Sequence, residues 1–176
     1  MAGRRKIQEL EISKKINMRK ILIILILVTT STAFAQLIKK GETEIFRFKT
    51  NGGKTAVICK GENESYLIYR FGTNSNVELQ YPAEPGESSW QLFTYSYYFR
   101  GGGKENAGLD LNYLTFTNNG YTYRLYQEYS AEDNSESAGI IVTDKDMKET
   151  DIKAVKKSVK GSLIDLRYTE KVKRDQ

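Results

Sequence analysis

The segment Phe99-Arg100-Gly101-Gly102-Gly103-Lys104-Glu105-Asn106-Ala107-Gly108 packs four glycines and two cations into ten residues. Glycine lets the backbone take positive φ and approach another surface closely. Successive N–H groups held in such a loop form a concavity suited to an anion, and Arg100 and Lys104 would add charge to it. A nucleotide-type phosphate loop is excluded, because no Ser or Thr follows Lys104 and a strand pattern, not a helix, comes next. Arg100, Gly101, Gly102, Gly103 and Lys104 are therefore the candidate partner-binding residues, on an exposed rim facing an acidic partner. The alternative reading of the same residues is a mobile connection with no ligand.

Other chemistry is limited by what the chain lacks. It contains no His and a single cysteine, Cys59. Ser-His-Asp and Cys-His catalysis are thereby removed, as are imidazole metal sites and zinc or iron–sulfur centres. No cofactor is expected. Carboxylate-pair chemistry on glycans stays open in principle, but no pair stands out, so the chain does not read as an enzyme. Cys59 lies in the apolar run Ala56-Val57-Ile58-Cys59 and reads as a buried structural thiol, with an intermolecular disulfide or a reactive thiol as the alternative in an oxidising compartment. The acidic stretches 132–136 and 144–149 read as solvated turns. The second resembles a calcium loop in its alternating oxygens but lacks the central Gly.

The elements that must position these residues are strands. β-branched and aromatic residues alternate over 44–49, 55–60, 65–71, 77–81, 89–100, 109–117, 121–129 and 138–143, with weaker stretches at 151–159 and 162–168. Short turns such as Asn51-Gly52-Gly53 and Asn118-Asn119-Gly120 separate them, and turns this short force antiparallel neighbours. The fold class is all-β: an antiparallel up-and-down barrel or a two-layer sandwich of about eight to ten strands. The 153–160 stretch also fits a short C-terminal helix. In 89–100 aromatics fall on both faces; core on both faces is expected, with an exposed patch for a partner or a glycan on one of them as the alternative. In 109–117 Leu109, Leu111 and Tyr113 have one parity and Leu114 and Phe116 the other, so a β-bulge near Tyr113 is expected to return both sets to the core. In 121–129, Tyr121, Tyr123, Leu125 and Tyr129 share one face. Thr122, Arg124 and Glu128 share the other, wet one, which Tyr126 interrupts.

The compartment is the plainest reading. Met18-Arg19-Lys20, an apolar run from Ile21 to Val28, and Ala33-Phe34-Ala35 follow the order of a secretory signal peptide. The apolar run falls far short of the roughly 20 residues of a spanning helix. Residues 18–35 are thus expected to be cleaved, leaving no transmembrane anchor and a single β-rich domain over 36–176, exported to the periplasm or secreted. Residues 1–17 read as an extended or non-native leader. The formal charge of +5 belongs to residues 1–35, since 36–176 holds 20 basic and 20 acidic residues. Nucleic acid, which demands clustered cations, is not an expected partner.

The stretch from Gly103 to Tyr126, a Gly-rich loop, a strand through Phe116, an Asn-Asn-Gly turn and a strand through Leu125-Tyr126, resembles the core of the small periplasmic lysozyme-inhibitor family. Ala56-Val57-Ile58-Cys59-Lys60-Gly61 is similar to that family's early Cys-bearing strand. The resemblance implies a secreted antiparallel barrel in which Lys104 is the basic residue offered to a carboxylate-bearing cleft. The chain departs from the family in lacking its paired Cys and the Ser of its inhibitory loop. The expected function is an exported binding module engaging a protein or glycan of the cell envelope through its loops. A self-assembling structural subunit is the alternative, and the charges on the sheet edges discriminate between the two.

Overall fold

The computed structural model describes residues 36–175; the expected leader, signal peptide and cleavage site lie outside the described residues. In chain order the strands are β1 (Thr43–Lys49), β2 (Thr55–Lys60), β3 (Leu67–Thr73), β4 (Asn76–Tyr81), β5 (Thr94–Arg100), β6 (Leu109–Asn118), β7 (Tyr121–Ser130), β8 (Ser135–Thr143), β9 (Glu149–Lys153), β10 (Lys160–Gly161) and β11 (Lys173–Arg174). They form two sheets, ordered β10-β1-β2-β3-β4 and β11-β5-β6-β7-β8-β9. All pairs are antiparallel except β11 with β5. Of the two expected architectures the sandwich is the one formed. A bridge between Thr50 and Ala154 ties the sheets at one corner without closing a barrel.

The turn residues do what their types allow. Asn119 and Gly120 both take positive φ, 51° and 80°, the geometry that lets a two-residue turn follow the twist of β6 and β7. Between the sheets, Phe46, Phe48, Ile58, Tyr69, Leu114 and Leu125 are among the buried residues. Phe116 is the hub of their aromatic part: its ring lies 4.5 Å from Tyr81, 4.8 Å from Tyr123, 5.0 Å from Tyr69 and 5.4 Å from Phe93.

The first sheet is buried on its other face too. Leu37 packs there against Val57, Cys59 and Ile68. The N-terminal segment 37–42 is fixed there by Arg70, which is 1% exposed. Its guanidinium donates to both Glu42 oxygens at 2.6 and 2.8 Å, to the Leu37 carbonyl at 3.0 Å and to Gln80 at 2.8 Å. This doubly buried position explains Cys59: desolvation pushes its thiol up to about 12. The thiolate is the reactive form, so Cys59 is expected to ignore a thiol-reactive dye at pH 8 in the native protein and to react fully in denaturant. Rapid labelling of the native protein would contradict this placement.

Four sequence expectations are corrected. The 89–100 stretch is not one strand. Glu87–Leu92 forms a 3-10 segment that turns Trp90 into the core, where its indole N–H donates to the Glu64 carbonyl at 3.0 Å, and the strand starts at Thr94. No bulge occurs near Tyr113: β6 pairs in unbroken register with β5 and β7. Leu114 and Phe116 face the core, while Leu109, Leu111 and Tyr113 lie half-buried on the outer face. The 151–159 strand stops at Lys153, and Lys156–Ser158 is a 3-10 turn. The 162–168 strand is instead a 3-10 segment, Leu163–Tyr168, with the Ser162 hydroxyl capping the Ile164 N–H. Leu163 and Leu166 are both buried, and residues three apart share a face in a 3-10 helix but not in a strand. Tyr126, the interruption on the wet face of β7, is buried against Gly139. A Cβ at 139 would sit 2.5 Å from the Tyr126 hydroxyl, which is why glycine occupies that strand position.

Candidate binding site at the open end of the second sheet

Cross-strand rows define the site. On the inner face of the second sheet the row Tyr95, Leu114, Leu125, Ile140, Ile152 belongs to the core. The next row is Tyr97, Asn112, Gln127, Ala138, and the last is Phe99, Asp110, Tyr129, Glu136. Apolar packing therefore gives way, within two residues along each strand, to a polar floor.

The Leu163–Tyr168 segment crosses this floor and organises it. Gln127 Oε1 accepts from the Ser162 hydroxyl at 3.0 Å and the Leu163 N–H at 2.8 Å. Arg167 donates to Asp110 at 2.6 Å and Asn112 at 2.9 Å. The Tyr95 hydroxyl donates to Asn112 Oδ1 at 2.6 Å, and Asn112 Nδ2 donates to Asp110 at 2.8 Å. Burial pushes the Tyr95 phenol above its ordinary value, with the Arg167 charge opposing the rise, so the hydroxyl keeps its proton and stays a donor. The Arg167 guanidinium also lies over the Tyr97 ring at 4.4 Å and nearer the edge of reach over Phe99 at 5.7 Å. A cleft of about 840 Å³ adjoins this network at Asp110 and Asn112 and extends over β7 to β9, its lining drawn from both faces of the sheet, Tyr126, Glu128 and Asp151 as well as Gln127, Val159 and Ile164.

Exposed aromatic side chains stand on β5, where Tyr97 is the cross-strand neighbour of Asn112 and Phe99 of Asp110. Tyr97 is 49% exposed and Phe99 59%, and Tyr98 on the outer face is 50% exposed. The expectation of core on both faces is thus corrected. Trp90, Phe93 and Tyr95 are buried, and the three aromatics that follow Ser96 are not, because the first sheet does not reach over this end.

The Gly-rich loop joins β5 to β6 at the same end, and it is laced rather than slack. Arg100 is half-buried, with Nε and Nη2 both donating to the Ala107 carbonyl. Asn106 Nδ2 donates to the Gly101 carbonyl at 2.8 Å, and the Gly108 N–H donates to the Gly103 carbonyl at 2.8 Å. Gly102 and Gly103 take positive φ, 94° and 61°, and Gly101 borders the Phe99 ring. Lys104 opens a short 3-10 turn, Lys104–Asn106, and is exposed. Of the two predicted cations, Lys104 faces outward while Arg100 folds back to close the loop.

The arrangement offers fixed donors and acceptors beside exposed rings, which suits binding. Its carboxylates already have partners: Asp110 is held by Arg167 and Asn112, and on the outer face Glu128 accepts from Tyr113 at 2.8 Å and Ser137 at 2.9 Å. Among the described residues no group of three or more Cys, Asp or Glu side chains could hold a metal ion, and no helix is long and apolar enough to cross a membrane. Set beside protein-family models, characterised proteins and solved structures, the chain matches none.

Proposed function

We propose that the protein is an exported binding module that holds a protein or glycan of the cell envelope at the open end of its second sheet, without catalysis. The observation that carries this reading is the exposure of Tyr97 and Phe99 beside a polar floor already ordered by Arg167. Rigid aromatic rings next to preset hydrogen-bonding groups supply contact area at little entropic cost. Lys104 lies on the adjoining rim, where it adds charge for an acidic partner.

The two rim cations are expected to separate on mutation. Lys104→Ala should move stability by no more than about 0.5 kcal/mol, because the side chain is exposed, while lowering affinity and its salt dependence. Arg100→Ala should loosen the loop, because the Ala107 carbonyl loses both of its guanidinium donors. Melting curves and binding titrations of the two variants read the difference. A photo-crosslinking residue at position 104 should capture an envelope partner, whereas one at Lys145, in the turn at the opposite end, should not. Equal capture at both positions would sink the proposal. A lysozyme assay and a titration with purified envelope glycans tell an inhibitor from a glycan binder.

A further inference from the structure

The last row of the second sheet's inner face repeats one pairing of side chains. It runs Phe99, Asp110, Tyr129, Glu136 across β5, β6, β7 and β8, so a ring and a carboxylate alternate from strand to strand. The first pair already holds a guanidinium. Arg167 donates to Asp110 at 2.6 Å, and its charged centre lies 5.7 Å from the Phe99 ring and 4.4 Å from that of Tyr97. A carboxylate that accepts the fork beside an aromatic face suits arginine in particular.

The second pair presents the same groups in the open. Tyr129 is 39% exposed, and its hydroxyl donates to Asn134 at 3.3 Å, which anchors the ring by its tip. The Glu136 carboxylate meets Lys156 at 3.7 Å, but the two side chains are 66% and 68% exposed, and an ion pair so exposed contributes little. Tyr129 and Glu136 both line the cleft. The charge around them has one sign. The Ala131 N–H donates to the Gly108 carbonyl at 2.8 Å and holds the β7–β8 turn beside the Gly-rich loop. Together the turn and the loop present Glu105, Glu132 and Asp133, all exposed, against Lys104.

We propose that the Tyr129–Glu136 pair receives an arginine side chain of a partner protein, its fork on the Glu136 carboxylate and its plane over the Tyr129 ring. The inference rests on the reading of the open end as the binding site and chooses between the two occupants named there. A protein is favoured over a glycan because sugars carry no guanidinium, and an acidic glycan would meet Glu132, Asp133 and Glu136 as like charges. Two strand spacings, about 10 Å, separate the partner's guanidinium from Arg167, and at that distance salt screens much of their repulsion. Lys156 is a point charge on a flexible stem and yields Glu136 to the planar fork. Glu132 and Asp133 draw further cations of the same segment, while Lys104 takes one of its acidic groups.

The probe is a dye-labelled tetra-arginine peptide, titrated by fluorescence anisotropy against tetralysine. Tetra-arginine should bind the wild type more tightly, because an ammonium group neither forks nor stacks as a plane. Glu136→Gln keeps the size of an exposed side chain and should weaken tetra-arginine binding about tenfold, the loss of a hydrogen bond to a charged group. Tyr129→Leu should weaken it by about two- to fivefold, the loss of the ring face. Glu149→Gln removes an exposed carboxylate at the opposite end of the sheet and should bind as wild type does. Melting curves establish that each variant is folded. Equal binding of the two peptides, no binding of tetra-arginine, a folded Glu136→Gln or Tyr129→Leu variant that binds like wild type, or an equal loss in Glu149→Gln would each overturn the proposal. Capture of a partner at position 104 alongside any of these results, or capture of a glycan there, would overturn the arginine assignment and leave the open end standing as a binding site.

Discussion

Phe116→Ala is expected to cost about 3–5 kcal/mol, the range for truncating a buried aromatic, and to sit at the upper end of it. Phe116 is 2% exposed, and four other rings pack around it from both sheets. Removing it opens a void that no single neighbour can fill, because Tyr69, Tyr81, Phe93 and Tyr123 are each held by their own strand or turn. Urea denaturation of the purified variant checks the loss. A shift below about 1 kcal/mol, the size of an ordinary point mutation, would mean that the sheets can repack and that the aromatic hub is not what joins them.

Arg70→Ala should be comparably severe, about 3–5 kcal/mol, because it strands a buried carboxylate without its partner. The Glu42 side chain is fully covered and its bidentate bond to Arg70 is the main favourable contact it has. Burial alone would push the Glu42 carboxyl up. The hydrogen bonds from Arg70, the Lys39 N–H and Tyr66, together with the Arg70 charge, outweigh burial and hold it below its ordinary value of 4.5. The sign of the pH effect follows. A lowered folded-state pKa gives stability that is fully present above about pH 4.5 and is lost as pH falls through the folded value. Acid titration of wild type should therefore show a destabilisation that Glu42→Gln lacks, while Glu42→Gln starts out less stable at neutral pH. Parallel acid slopes in the two proteins would contradict the assignment.

The antiparallel pairing of sequence neighbours and the turn positions were legible in the sequence because they rest on local signals, whereas the docking of β10 on β1 and of β11 on β5 was not. Asn118-Asn119-Gly120 fixes its hairpin through backbone preference alone, and the alternation in 44–49 and 55–60 marks strands whatever they pack against. The polar floor was not legible, and one misreading hid it. Expecting a bulge near Tyr113 brought both parities of 109–117 to the core. The parity of Leu114 and Phe116 in fact continues back through Asn112 to Asp110, so the core face of β6 turns polar without any irregularity. Gln127 sits likewise on the parity of Leu125. Arg167 could not have been found this way. It reaches the floor from a segment 55 and 57 residues away in sequence from its partners, and that segment's 3-10 geometry depends on the sheet beneath it. The sequence offered both outcomes for Tyr97 and Phe99, core or exposed patch, and could not choose: composition says aromatics bury, and only the limited reach of the first sheet says that these do not.

The return of the chain at its C-terminal end has a consequence in time. β1 to β9 pair with their sequence neighbours within each sheet, so each hairpin can form as it is made. The closing contacts do not share this property. The Lys49 N–H bonds to the Ser158 hydroxyl across 109 residues, and the Glu64 carbonyl accepts from Lys171 across 107. β10 seals the β1 edge and β11 part of the β5 edge only after nearly the whole chain is present. Long-range closures of this kind slow folding. Until residues 160–174 are made, the two meanders keep open edges, and a chaperone that covers bare strands would have its longest opportunity in that interval.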